Sequence, residues 1–101
     1  MRLGRVIGRV VLSKKDAGLD RGGFLIIVSP MDRAMYARAN APRLSKTMPN
    51  LIVYDIYGAT VGDIVSYVEG SEATAPFDGP IPIDSCSVGI VDRYTYNPEV
   101  E

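Results

Sequence analysis

The residues able to do chemistry are few, and they sit at the ends of apolar segments. Asp55, Asp63, Asp84 and Asp92 each border a run of hydrophobic residues. Two such carboxylates brought together could serve as the acid and base of a glycoside hydrolase or hold a magnesium ion. An Asp at a strand end more often accepts hydrogen bonds from the adjoining turn, because its short side chain reaches nearby backbone amides. The chain has no histidine and one cysteine, which removes Ser-His-Asp and Cys-His catalysis, imidazole acid–base work and most zinc sites. Cys86, flanked by serines on an apolar segment, reads as a small buried hydrophobe. Neither G-x-x-x-x-G-K-[ST] nor G-x-G-x-x-G occurs to cradle a phosphate. No catalytic residue, cofactor or metal is therefore expected.

With reactive groups so sparse, the informative stretch is Asp55 to Ser71, Asp-Ile-Tyr-Gly-Ala-Thr-Val-Gly-Asp-Ile-Val-Ser-Tyr-Val-Glu-Gly-Ser. Gly58, Ala59, Thr60 and Gly62 make a turn of small residues, and Val65 and Tyr67 alternate with Ile64, Ser66 and Val68. This pattern predicts a β-hairpin with a tight turn and two distinct faces. A small-residue turn with no reactive cluster beside it points toward assembly more than reaction.

Bulk properties agree. At 101 residues the chain is expected to be one domain, residues 1–101, with a single modest core. Eleven basic and 12 acidic residues leave a net charge of −1, with a pI near 5.4, so there is no electrostatic footprint for nucleic acid. The lone cysteine forms no internal disulfide, and the longest wholly apolar run, Phe24 to Val28, is too short to span a bilayer. Arg2, Arg5 and Arg9 interrupt any signal-peptide core, which makes a reducing cytoplasm the expected compartment, with no membrane partner. Yet 47% of residues are hydrophobic and the mean hydropathy is +0.08, apolar for so small a chain. A folded monomer of this mass exposes roughly 5,600 Å², and two interfaces of about 800 Å² each would cover more than a quarter of it. Self-association would use that surplus, although small β-domains also bury both faces of their strands.

Taken in order, Leu3 to Ser13 alternates with period two and predicts a strand, in which Gly4 and Gly8 mark bends or bulges of a small closed barrel. Lys14 to Gly23 is a polar hairpin tip, and Phe24 to Val28 a short strand closed by Pro30. Asp32 to Asn50, bracketed by prolines, is expected to be a short helical or irregular excursion. Leu51 to Tyr57 and Asp63 to Glu69 are the third and fourth strands, followed by a Gly70-Ser71 corner with Ser71 as N-cap of one helical turn through Thr74. The last strand runs from Ser85 to Tyr96, with Cys86, Val88 and Ile90 on one face and Ser87, Gly89 and Val91 on the other. Five strands and tight turns predict an all-β fold, a small five-stranded antiparallel barrel of the OB-like kind. Such barrels can stack single-stranded bases on aromatics, here Tyr54, Tyr57, Tyr67, Tyr94 and Tyr96, but no run of Lys and Arg accompanies them.

Four motifs in order resemble a known family: Leu3-Gly4-Arg5-Val6-Ile7-Gly8; Asp55-x-x-Gly58-Ala59-x-x-Gly62-Asp63-x-Val65; Glu69-Gly70-Ser71-Glu72-Ala73; and Pro82-Ile83-Asp84 leading to Val88-Gly89-Ile90-Val91-Asp92. Together they resemble the bacterial microcompartment vertex proteins of the EutN/CcmL family. The resemblance implies an OB-like barrel protomer, a closed homopentamer, and a structural role capping the fivefold vertices of a polyhedral shell, where it would meet hexameric shell proteins. The family usually reads Val-Gly-Ala-Gly at the turn, whereas here Tyr57 precedes Gly58 and Thr60 replaces the second Gly. Where five copies converge space is short, so the Gly58-Ala59-Thr60 turn is expected near the fivefold axis. The Gly70-Ser71-Glu72-Ala73 corner is expected on the rim that faces neighbouring hexamers. The alternative class is an OB module that binds single-stranded nucleic acid or a small ligand, and salt-dependent oligonucleotide binding would mark it.

Overall fold

The computed structural model describes residues 1–31 and 49–96; the expected excursion thus lies outside the described residues except for its last two. Five strands form a closed barrel: β1 (Arg2–Val10), β2 (Phe24–Pro30), β3 (Leu51–Asp55), β4 (Ile64–Glu69) and β5 (Ser85–Ile90), in the order β1-β2-β3-β5-β4. Four seams are antiparallel, and the fifth, where Tyr54 of β3 lies opposite Cys86 of β5, is parallel. The fold is the all-β barrel that the alternating pattern predicts.

β1 can serve two neighbours because it bends. Its first half pairs with β4, Arg2 opposite Tyr67 and Arg5 opposite Ile64, while Gly4 to Val10 pair with β2. Between Val6 and Gly8 the register with β2 slips, so Ile7 is the extra residue of a bulge. Gly4 is buried, and a Cβ there would run into Val28 Cγ1 and stand 3.0 Å from Ser29 O. Only a residue without a side chain lets β1 pass this close.

Two apolar layers share the wall. Val6, Ile26, Val28, Val53, Val65 and Tyr67 fill the barrel, with Leu51 and Ala59 packed against them. Tyr54, Ala73, Ile81 and Cys86 form a second cluster, joined by Leu19, Leu25, Val68, Phe77 and Ile83. Successive strand residues point to opposite faces, so Val53 belongs to the inner layer and Tyr54 to the outer. That outer layer is roofed by helix α1 (Ser71–Thr74) and the following segment to Ile83. The Tyr54 hydroxyl anchors it, donating to Leu19 O at 2.8 Å and accepting from the Arg21 and Gly23 amides at 3.1 and 3.0 Å. The ring itself meets Phe77 edge-on, centroids 5.7 Å apart.

Several expectations need correction. Asp55 to Ser71 is not a hairpin: β3 and β4 do not pair, because β5 lies between them. Eight residues, 56–63, connect them, more than a hairpin turn uses, and the loop ends on β1, with Gly62 N–H donating to Val6 O (2.9 Å) and Val6 N–H to Asp63 O (2.8 Å). β5 stops at Ile90 rather than Tyr96, and a bulge at Val88 breaks its alternation: Ser66 faces Gly89 but Tyr67 faces Ser87. Cys86 consequently packs outward opposite Val68, whereas Ile90 lies opposite Val65 on the inner side. Val88 and Ile90 stay exposed. Ser71 is not the N-cap of α1; Gly70 is, at φ 68°, with no side-chain cap bond. The short polar link Lys14 to Gly23 does join two paired strands, and it contains a 3₁₀ turn at Ala17–Leu19.

Candidate functional site

The small-residue turn is built outward from one carboxylate. Asp55 ends β3 with its side chain 1% exposed. Its Oδ2 accepts from the amides of Gly58 (2.9 Å) and Ala59 (2.8 Å), and its Oδ1 accepts from the Ser87 hydroxyl on β5. Both oxygens of this buried side chain are thus satisfied, as burial of a polar group requires. A second carboxylate holds the far side: Asp63 Oδ2 accepts from the Thr60 amide at 2.9 Å and from its hydroxyl at 3.3 Å, while the Asp63 amide donates back to Thr60 O. Arg5 Nη1 adds a bond to Gly62 O at 2.9 Å. The strand-end aspartates Asp55 and Asp63 are therefore turn acceptors, the role that strand-end position suggests.

Two glycines make this path possible. Gly58 and Gly62 stand at φ +83° and +99°, with nothing within 4 Å of an added Cβ, so the backbone, not crowding, demands glycine there. Thr60, where the related motif has glycine, takes no positive φ and sits without strain. Ala59 turns inward onto the barrel core, and Ile56, Tyr57 and Val61 are left 45%, 51% and 68% exposed. A loop with a pinned backbone thus carries three exposed apolar side chains.

The Gly70-Ser71-Glu72-Ala73 corner is built differently. The Gly70 amide donates to Asp84 O at 2.8 Å, and Ala73 is fully buried in the outer cluster. Only Gly70, Ser71 and Glu72 face solvent. The two regions leave opposite ends of β4, six residues apart in the strand, which separates them by roughly 20 Å. The fold brings neither to the other.

Nothing reactive gathers at either place. Among the described residues no three His, Cys, Asp or Glu side chains converge as metal ligands, and no helix is long and apolar enough to cross a membrane. Burial pushes the Cys86 thiol up from its ordinary pKa, away from the reactive thiolate. Of the tyrosines weighed as base-stacking platforms, Tyr54 and Tyr67 are buried and Tyr57 is half exposed. A groove of about 220 Å³ between β1, β2 and Tyr54 has Arg9 and Lys15 at its edge, but Arg9 lies over the Phe24 ring, 4.1 Å from its centroid, and Lys15 pairs with Asp20 at 3.0 Å. Sequence reasoning missed the part played by Ser87, because its partner Asp55 is 32 residues away; the local Asp-x-x-Gly spacing signals only the turn.

Comparison with known proteins bears on the same regions. A family model described as ethanolamine utilisation protein EutN/carboxysome matches residues 1–92. The bacterial microcompartment shell vertex protein PduN of Salmonella typhimurium is 37% identical over 93 residues, covering 91% of this chain and 96% of PduN. Among solved structures, the GrpN pentameric microcompartment shell protein of Rhodospirillum rubrum superposes with a TM-score of 0.75 at 31% identity, over 96% of this chain and 100% of GrpN. EutN of Escherichia coli superposes with a TM-score of 0.73 at 28% identity, over 95% and 89% of the two chains.

Proposed function

The chain belongs to the EutN/CcmL family, and from that membership we propose that it closes into a homopentamer that caps the fivefold vertices of a bacterial microcompartment shell. It is a structural shell protein, and residues 1–101 act as one vertex domain without catalysis or cofactor. The observation that carries the reading is the agreement of the closed barrel with a pentameric shell protein over nearly its whole length. The physical features support it: a ring needs two different patches on each copy, and exposed apolar side chains at Ile56, Tyr57 and Val61 provide one end of such a contact. In this reading the Gly58-Ala59-Thr60 turn lies near the fivefold axis, and the exposed part of the Gly70–Glu72 corner faces hexameric shell proteins. Buried Tyr54 and Tyr67 argue against a nucleic-acid platform.

Light scattering after size exclusion, across a dilution series, tests the ring. The expected result is a dilution-stable mass of five chains, with no salt-dependent binding of a single-stranded oligonucleotide. A monomer at every concentration would overturn the pentamer.

A further inference from the structure

The loop at residues 56–63 is tied to two strands that are not its own. Through Asp55 it is tied to Ser87 on β5, and through Gly62 and Asp63 to Val6 on β1. Ile56, Tyr57 and Val61 are exposed to solvent while the amides of Gly58, Ala59, Thr60, Gly62 and Asp63 are hydrogen-bonded, the reverse of an ordinary surface loop. Fixing a backbone before association removes part of the ordering entropy that binding would otherwise lose.

We infer that Asp55, held by Ser87, is the positioning residue of this loop: the pair fixes the 58–60 turn against β5 so that Ile56, Tyr57 and Val61 meet a second copy of the chain as a preformed contact. The inference rests on the ring reading for its partner, and on the hydrogen bonds alone for the positioning. The chemistry favours this pair over the Asp63 turn. Asp55 is buried and accepts from two amides through one oxygen, and the Ser87 hydroxyl, bonded to the other, fixes the rotation of the carboxyl group toward the turn. Asp63, by contrast, closes a local turn on the exposed side.

The test uses the full chain with Ser87→Ala, Asp55→Asn and, as a control, Val53→Ala, which trims the barrel core without removing any hydrogen bond of the loop. Amide exchange at Gly58 and Ala59 reads the positioning, and the concentration at which the ring dissociates reads the contact. Ser87→Ala is expected to speed exchange at both amides by about tenfold or more and to raise the dissociation concentration by a similar factor. Asp55→Asn should do the same or more, and Val53→Ala should lower the melting temperature while leaving both readouts near the wild type. If the amides stay protected in Ser87→Ala, Asp55 does not depend on Ser87 and the positioning is overturned. Protection lost with unchanged ring dissociation overturns the contact instead. A monomeric wild type defeats the ring reading, while the exchange measurement still decides the positioning. Should Asp55→Asn fail to fold, Ser87→Ala and Val53→Ala decide alone.

Discussion

The 56–63 loop and the 70–84 segment leave opposite ends of β4, and each contains two glycines at positive φ, Gly58 and Gly62 in the one and Gly70 and Gly79 in the other. Beyond that they share little. The loop is held by carboxylates that accept backbone amides, and it shows its apolar side chains to solvent. The segment after the corner is held by apolar burial: Ala73 and Ile81 disappear into the outer cluster, while Ser71 and Glu72 stay outside. Hydrogen bonds are directional and fix a conformation; burial is proportional to area and fixes mainly a position. The region built on directional bonds is thus the one that keeps its shape with its hydrophobic side chains in solvent.

Breaking the outer layer should give the largest effect. Ala73→Phe forces a ring into a filled space among Tyr54, Ile81 and Cys86, and overpacking of this kind costs about 1–3 kcal/mol, occasionally more. Chemical denaturation should show that loss of stability. Exchange at Gly58 and Ala59 in the surviving native state should change little, and a large change would mean that the two regions are not independent.

A smaller effect is expected at the loop. Gly58→Ala meets no neighbour, so its whole effect is the strain of an L-residue at φ +83°, about 1–2 kcal/mol. Gly70→Ala is equally open, but at φ 68° and ψ −142° it sits in a region that only glycine adopts freely, and it should lose at least as much. Gly70→Ala should lower the melting temperature at least as far as Gly58→Ala, yet only Gly58→Ala should weaken the ring. Equal weakening by both would erase the distinction between the regions.

The smallest effect is a pH dependence confined to the outer layer. Burial raises the Cys86 pKa, so the native chain keeps the thiol proton to a higher pH than the unfolded chain does. Stability contributed in this way is present below the ordinary thiol range and falls as pH rises through it. Wild type should therefore lose stability toward alkaline pH more steeply than Cys86→Ala. The rate at which an alkylating reagent labels Cys86 then reports opening of the outer layer, independently of the loop amides.

What the sequence made legible was local. Alternation in Val65 and Tyr67, the bulge beside Gly8, Asp55 and Asp63 as turn acceptors and the burial of Cys86 follow from the residues and their immediate neighbours. What it hid was partnership across distance. The apolar runs around Gly58 look like two arms of a hairpin because nothing local says that β5, which starts only at Ser85, will slip between them. The bulge at Val88 is equally silent, since one added residue reverses the inward and outward faces without any unusual residue to announce it. Ala73 reads as part of an exposed polar corner and is buried only because Tyr54 and Ile81 meet above it. For the candidate site, the turn residues were visible and the carboxylate's tether to Ser87 was not.

The seam that joins the first strand to the fourth carries a consequence in time. Arg2 finds Tyr67 only after most of the chain exists, and loops of that length must close before the interior rewards them. Such wiring belongs to the slower class of small domains, folding in milliseconds to seconds rather than microseconds. During synthesis the turn at Gly58 emerges before the serine that will hold it. The 58–60 turn therefore gains its tether only once β5 has been made, late in synthesis.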